Sequence, residues 1–327
     1  MSKTRHCCLP SDRDHYFPFS NFKIRTSGIQ KPAPLMKLIR TVAAMQALAE
    51  DRRRAGRTLT LVPTMGALHA GHLALVDAAR EHGDHCTVSI FVNPTQFAPG
   101  EDFERYPRML EGDLHTLERM EGVDVVFAPR VEEMYPGGQA HQRIWVNVED
   151  LDVYLCGRHR PGHFRGVVTV VTKLFHSCRP HVAVFGLKDA QQFVILRRLV
   201  RDLRFGIEIV GVPTVREPDG LALSSRNAYL NSEERAQAVV LSQAVAAARL
   251  HVEQGEQRAQ AVVETMQALM AQALDARLQY AEVVSVETLQ PIERIEPGQE
   301  VLAAVAVFFG HTRLIDNAFV RAPGIAA

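Results

Sequence analysis

The chain of 327 residues is long enough for two domains and a sizeable core. Its 37 Lys and Arg balance 37 Asp and Glu, so no net field draws it to nucleic acid or to an anionic membrane surface, and any anion site has to be built locally. Five scattered cysteines (Cys7, Cys8, Cys86, Cys156, Cys178) make neither a zinc-finger spacing nor a disulfide framework, and no run has the length of a membrane span or the character of a secretory signal, so a soluble cytoplasmic protein is expected.

Residues 1–35 differ from the rest. They carry Cys7-Cys8, prolines and scattered charge with no apolar period. This predicts a disordered tail, or a native chain that starts at Met36; Asp12 and Asp14 argue against a transit peptide. From Met36 the pattern is regular. Ile39 to Ala55 is predicted as a helix with Val42, Met45, Leu48 and Ala49 on one face. Thr58 to Thr64 is a buried strand, Met65-Gly66-Ala67 a kinkable link, and Leu73, Leu75, Val76 and Ala79 mark a helix. Cys86 to Val92 is a strand ending in Asn93-Pro94-Thr95-Gln96-Phe97. A charged stretch from Glu101 to Arg108, a helix to about Met120 and a strand from Val123 to Phe127 follow. Val146-Asn147-Val148 is a short extended piece, and Val167 to Cys178 is a helix. His181 to Phe185 is a strand, followed by a helix to about Leu203 and a strand from Ile207 to Val212.

Strands alternating with helices at this spacing predict an α/β fold with a parallel sheet over about 36–211. Beyond it the character changes to a smaller α+β unit over 212–327. There Ser232 is a plausible N-cap, Ala-rich helices cover 233–253 and 256–276, and strands run from Tyr280 to Glu287, Val301 to Phe309 and Thr312 to Asn317. Gly310-His311 is a tight turn between the last two.

Ligands of parallel sheets bind beyond the carboxyl ends of the strands. Four polar clusters follow directly after strands: His69/His72, Asn93/Gln96, Lys188/Asp189/Gln192 and Ser224/Ser225/Arg226. All four are therefore expected to meet at one sheet edge. His69 and His72 sit where strand hands over to helix, a place that collects free backbone N–H groups and suits an anion, with Gly71 leaving room for close approach. The stretch is neither a P-loop nor Gly-x-Gly-x-x-Gly, so a nucleotide-phosphate site using histidines is expected. A metal pair or plain surface histidines are the alternatives.

The stretch Pro63-Thr64-Met65-Gly66-Ala67-Leu68-His69-Ala70-Gly71-His72 resembles the HxGH signature of the nucleotidyltransferase superfamily. Together with Val92 to Phe97, Arg160 to Val167, Phe185 to Gln192 and Asp219 to Asn227, it resembles the pantoate–β-alanine ligase family from about Met36 onward. The resemblance implies a Rossmann-like N-terminal domain, a smaller C-terminal domain, a homodimer, Mg²⁺, and ATP-dependent ligation of pantoate and β-alanine through pantoyl adenylate. It implies that Met65-Gly66-Ala67-Leu68-His69-Ala70-Gly71-His72, Gly186-Leu187-Lys188-Asp189, Val215 and Leu223-Ser224-Ser225-Arg226 bind ATP. His69, His72, Lys188 and Arg226 carry the catalysis, with His72 as a proton donor. It further implies that Gln96 and Gln192 bind pantoate and that Gln96 borders β-alanine. Asp189 is left open between ribose and Mg²⁺. Cys156 stands where many members have an acidic residue, and a packed small residue is expected there. Rival readings are a dinucleotide-forming HxGH enzyme, a metal-dependent hydrolase and a non-catalytic module.

Overall fold

The computed structural model describes residues 36–324, so the readings made for 1–35, Cys7 and Cys8 included, lie outside the described residues. Six parallel strands form the first sheet: β1 (Lys37–Ile39), β2 (Leu59–Thr64), β3 (His85–Ile90), β4 (Val125–Phe127), β5 (Val182–Gly186) and β6 (Glu208–Val212). Their order is β1-β4-β3-β2-β5-β6, so the chain leaves β2 toward β3 on one side and returns to β5 on the other. The crevice beyond the carboxyl ends of β2 and β5 is where such a sheet accepts ligand.

Helices cover both faces, which is why the central strands are buried on both sides, with Thr60, His85, Thr87 and Ser89 enclosed along with the apolar residues. On one face α1 (Val42–Arg54), α6 (His163–Cys178) and α7 (Ala190–Asp202) pack on Leu59, Leu61, Phe127, Ala183 and Phe185. On the other, α2 (Ala70–His82) and α3 (Leu110–Glu118) pack on Val62, Val88, Val126 and Val184. Two short helices, α4 (Val131–Met134) and α5 (Leu155–His159), lie between β4 and α6.

The second sheet is antiparallel, β7 (Ala276–Ser285), β8 (Glu300–Phe309) and β9 (Thr312–Arg321), with Gly310-His311 turning the last hairpin as expected. Val283, Ala303 and Val305 face a core shared with α9 (Val240–Glu253) and α10 (Ala259–Met270). Alternate residues Tyr280, Val284, Leu302 and Ala304 face the core of the first sheet. This second layer is therefore pinned to the first by its own strand periodicity. Among the described residues no helix is long and apolar enough to cross a membrane.

Two local expectations are corrected. Ile39 ends β1 instead of opening a helix, because Thr41 accepts the Ala44 N–H and starts α1 at Val42. A three-residue strand shows no period by itself and is defined by its pairing with β4. The N-cap of α8 (Ser232–Gln237) is Asn231, not Ser232: its side chain accepts two N–H groups at 2.9 Å, and Glu234 reciprocates to the Asn231 N–H at 3.0 Å. Val146–Val148 joins no ladder; Val146 N–H is satisfied by Thr169 Oγ1 at 3.1 Å.

Helix α6 approaches the Pro94–Gln96 turn backbone to backbone. A Cβ on Gly166 would lie 2.3 Å from the Thr95 carbonyl oxygen. Gly166→Ala is expected to destabilise the fold by about 1–3 kcal/mol through overpacking and to push Gln96 out of place. Chemical denaturation checks this, and an unchanged midpoint would show that the contact can relax freely.

Candidate active site

The link from β2 to α2 turns through two successive left-handed residues, Gly66 (φ 85°) and Ala67 (φ 51°). Such a conformation is costly for alanine, and the buried carboxylate of Asp113 on α3 holds it. Asp113 accepts the N–H groups of Ala67 at 3.0 Å and Leu68 at 2.8 Å.

The two histidines then cap α2 reciprocally. His72 Nδ1 accepts the His69 N–H at 3.2 Å, and His69 Nδ1 accepts the Gly71 N–H at 3.1 Å. With Nδ1 accepting, each neutral ring carries its proton on Nε2. The rings lie side by side, centroids 4.1 Å apart. A Cβ on Gly71 would come within 2.9 Å of the His69 ring, so this glycine makes room for the imidazole itself. Burial, then the neighbouring His69 and Lys188, lower the His72 pKa to about 3; burial and Lys188 lower that of His69. Both are neutral hydrogen-bond donors at pH 7.

The expected cradle of free backbone N–H groups is therefore not what this terminus offers. Gly66, Ala67, Leu68, His69, Gly71 and His72 all donate within the protein. Besides the Ala70 N–H at the first helical position, the donors left for an anion are the Nε2–H groups, and of His69, Ala70 and His72 only the two histidines line the cavity described below.

After β3, the buried Asn93 side chain caps the Pro94–Gln96 turn and donates to Gln96 Oε1 at 3.1 Å and to the Gly166 carbonyl at 3.2 Å. Gln96 Nε2 also touches Met65 Sδ at 3.1 Å. Its main-chain oxygen accepts His163 Nδ1 at 2.7 Å and Arg160 at 3.3 Å. Burial and the Arg160 charge lower the His163 pKa to about 4.

After β5, Lys188 and Asp189 sit on a short turn ahead of α7. Among the described residues the Lys188 ammonium has no hydrogen-bond or ion-pair partner. The turn is held from the second sheet: Asn317 on β9 donates to the carbonyls of Leu187 at 3.1 Å and Lys188 at 2.7 Å. Next to it, buried Asp316 pairs with both terminal nitrogens of Arg216, at 2.6 and 2.9 Å, anchoring the loop after β6.

In that loop Ser224 caps the turn Ser225–Tyr229 through the Arg226 N–H at 3.2 Å, while Ser225 bonds the buried Tyr106. Arg226 makes a bidentate pair with Asp102 at 2.9 and 3.0 Å, and one terminal nitrogen is left outside it. Burial pushes the Asp102 carboxyl up, but the Arg226 bonds outweigh this and hold it below its usual range. The preceding Glu101 pairs in the same way with Arg160, at 2.6 and 2.7 Å. One loop thus fastens two walls of the crevice through adjacent carboxylates.

The four post-strand clusters do meet. A cavity of about 240 Å³ is lined by Met65, His69, Gly71, His72, Asn93, Gln96, Gly186, Lys188, Asp189, Gln192, Val215, Leu223, Ser224, Ser225 and Arg226. Gly66, Ala67, Leu68, Ala70 and Leu187 do not line it. Sequence reasoning missed Glu101, Asp102, Asp113, Asp316 and Asn317. Only the charged run from Glu101 to Arg108 hinted at the first two. Cys156 is packed as expected, 3.2 Å from the Tyr280 hydroxyl. Among the described residues no group of three or more His, Cys, Asp or Glu could hold a metal, so His69 and His72 lack the third ligand a hydrolase would need. Mg²⁺ needs less, because it binds through one or two carboxylates plus substrate phosphates. The exposed Asp189 carboxylate beside Lys188 meets that requirement.

Residues 37–319 match the family described as Pantoate-beta-alanine ligase. The chain is 65% identical over 292 residues to the pantothenate synthetase of Salinibacter ruber, covering 88% of this chain and 99% of that protein. It superposes on the crystal structure of pantothenate synthetase from Thermus thermophilus with TM-score 0.79 and 46% identity, covering 86% of this chain and 99% of that one. The pantoate-beta-alanine ligase of Francisella tularensis, complexed with beta-gamma ATP and beta-alanine, matches with TM-score 0.69 and 30% identity over 87% of this chain and 97% of that chain.

The neutral imidazoles have a measurable consequence. The unfolded chain takes up protons on His72 and His163 near pH 6.5, while the folded chain resists until about pH 3 and about pH 4. Their contribution to stability is complete above pH 6.5 and is lost as the pH falls toward those values. Imidazole ¹⁵N shifts of His72 are expected to stay constant from pH 7.5 to about pH 5. A titration of His72 near pH 6.5 would refute the buried, capped arrangement.

Proposed function

The chain belongs to the pantoate–β-alanine ligase family, and on that premise we propose how its cleft divides the labour of joining pantoate to β-alanine. The reaction is formation of an amide between the pantoate carboxyl group and the β-alanine amine, driven by ATP. In the first step the pantoate carboxylate attacks the α-phosphorus and pyrophosphate leaves. In the second the amine attacks the acyl carbonyl, AMP leaves with the bonding pair, and the nitrogen sheds a proton. The observation that carries this reading is the convergence of the four post-strand segments on one cavity, with two neighbouring imidazole donors and an ammonium that has no partner among the described residues.

The negative charge that builds on phosphate oxygens at the α-phosphorus calls for donors already in place. His69 and His72 supply Nε2–H groups whose direction is fixed by the bonds at Nδ1. His72 acts here as a neutral donor, not as an imidazolium acid. Lys188 adds a mobile charge for the triphosphate. Arg226, with Ser224 and Ser225, faces the same phosphates with the edge of the guanidinium that Asp102 leaves open. Met65, Gly71, Gly186, Asp189, Val215 and Leu223 complete the nucleotide side. Asp189 would hold Mg²⁺, which supplies charge neutralisation at the phosphates.

Pantoate offers a carboxylate and two hydroxyls, and an amide side chain both donates and accepts. Gln96 and Gln192 take that role, with Gln96 also bordering the incoming amine. A dimer of this chain in the cytoplasm, with domains at 36–211 and 212–327, belongs to the same proposal. Cys86, Cys156 and Cys178, free and buried, suit a reducing compartment.

His72→Ala and Lys188→Ala are each expected to cut pantoate-dependent ATP–pyrophosphate exchange by about 100-fold or more, with circular dichroism unchanged. Exchange at the wild-type rate in either variant would remove that residue from the site. AMP release that does not require both pantoate and β-alanine would remove the ligase reading as a whole.

A further inference from the structure

The phosphate cavity opens into a larger one of about 770 Å³. Arg160, His163, Lys188, Asp189, Gln192, Ser224 and Arg226 form their common wall, and the larger space extends to the β8–β9 hairpin. Four arginines line it. Arg160 is neutralised by Glu101, and Arg226 by Asp102. Arg105 is exposed at the rim. Arg313, on β9, is half-buried and has no carboxylate partner among the described residues. Its Nε donates to Gln279 Oε1 at 2.8 Å, one Nη donates to Cys156 Sγ at 3.4 Å, and the guanidinium also bonds the Tyr280 hydroxyl and lies 5.9 Å from the centre of that ring, all of these partners being uncharged. Burial pushes the Tyr280 phenol well above its usual range, so it remains protonated and offers no negative charge.

A guanidinium withdrawn from water without an anion is unfavourable unless a ligand supplies one. Its planar fork matches a carboxylate. The position fits as well. Cys156, which touches Arg313, lies on α5, and Arg160 directly follows the end of that short helix, so both line the same cavity. Arg160 in turn donates to the Gln96 carbonyl at 3.3 Å. A three-carbon amino acid spans about 5 Å from nitrogen to carboxylate.

We propose that Arg313 receives the carboxylate of the amine substrate, a short ω-amino acid that enters through the larger cavity and points its nitrogen toward Gln96 and the acyl carbonyl. The assignment rests on the ligase reading above and names a subsite within it. Arg313 is then a binding and specificity-determining residue that makes the enzyme demand an acid group on the amine.

The test compares β-alanine with β-alaninamide, which keeps the amine and loses the charge, in wild type, Arg313→Gln and Arg313→Lys. AMP release is followed at saturating pantoate and ATP. Loss of a charge-assisted contact is expected to raise the β-alanine KM in Arg313→Gln by about 30-fold or more. Its kcat is expected to stay within about threefold, as for a group that binds without touching the reacting atoms. Arg313→Lys, which keeps the charge, should fall between, and it decides the matter if Arg313→Gln melts at a lower temperature than wild type. The amide should be a poor wild-type substrate, used equally by all three. A β-alanine KM within about twofold of wild type, or an equal penalty on the amide, overturns the subsite. Wild-type protein lacking pantoate-dependent ATP–pyrophosphate exchange overturns the ligase reading and the subsite with it. Exchange present with the β-alanine KM unchanged overturns the subsite alone.

Discussion

The site depends first on how the start of α2 satisfies its own backbone. A helix N-terminus has orphan N–H groups that usually go to water, an Asx or Ser cap, or a bound anion. Here two imidazole rings take those of His69 and Gly71, each ring accepting through Nδ1. That choice has three consequences at once. The rings are fixed in orientation, their protons are placed on Nε2, and protonation is disfavoured because it would break the cap. Backbone donors are converted into side-chain donors that reach further into the crevice. Gly71 is required because any Cβ would strike the His69 ring, and Asp113 is required because the preceding link is strained.

A second constraint is how charge is paired within the cleft. Glu101 and Asp102 are neighbours in the chain, yet they pair with arginines on different walls, Arg160 before α6 and Arg226 after β6. Bidentate pairing orients each guanidinium and consumes one edge of it. The attraction left over for anions is therefore concentrated at Lys188 and, further out, at Arg313. A chain whose 37 Lys and Arg balance 37 Asp and Glu thus builds two separate positive spots within its cleft.

The second sheet works as a support for the first. Asn317 holds the carbonyls of Leu187 and Lys188, and Asp316 holds Arg216, so consecutive residues of β9 fix the loops that follow β5 and β6. Its inner face is continuous with the core of the parallel sheet through Tyr280, Leu302 and Ala304. The geometry of the Lys188 turn therefore depends on where β9 lies.

Much of this is legible in the chain itself. Apolar period and turn chemistry are local, so the main strands and helices can be located. The rule that parallel sheets bind at their carboxyl edge then brings four separated motifs together from spacing alone. Strand β1 escapes because three residues carry no period, and Asn231 is passed over because two capping residue types stand side by side. What only the tertiary structure decides is who pairs with whom. The capture of the α2 N–H groups by imidazoles, the attachment of Arg226 to Asp102 across 124 positions, and the isolation of Arg313 from any carboxylate among the described residues depend on which segments the fold brings together. Spacing along a chain determines which face a side chain occupies. Its partner, its desolvation and hence its protonation state are set by whatever the fold brings against that face.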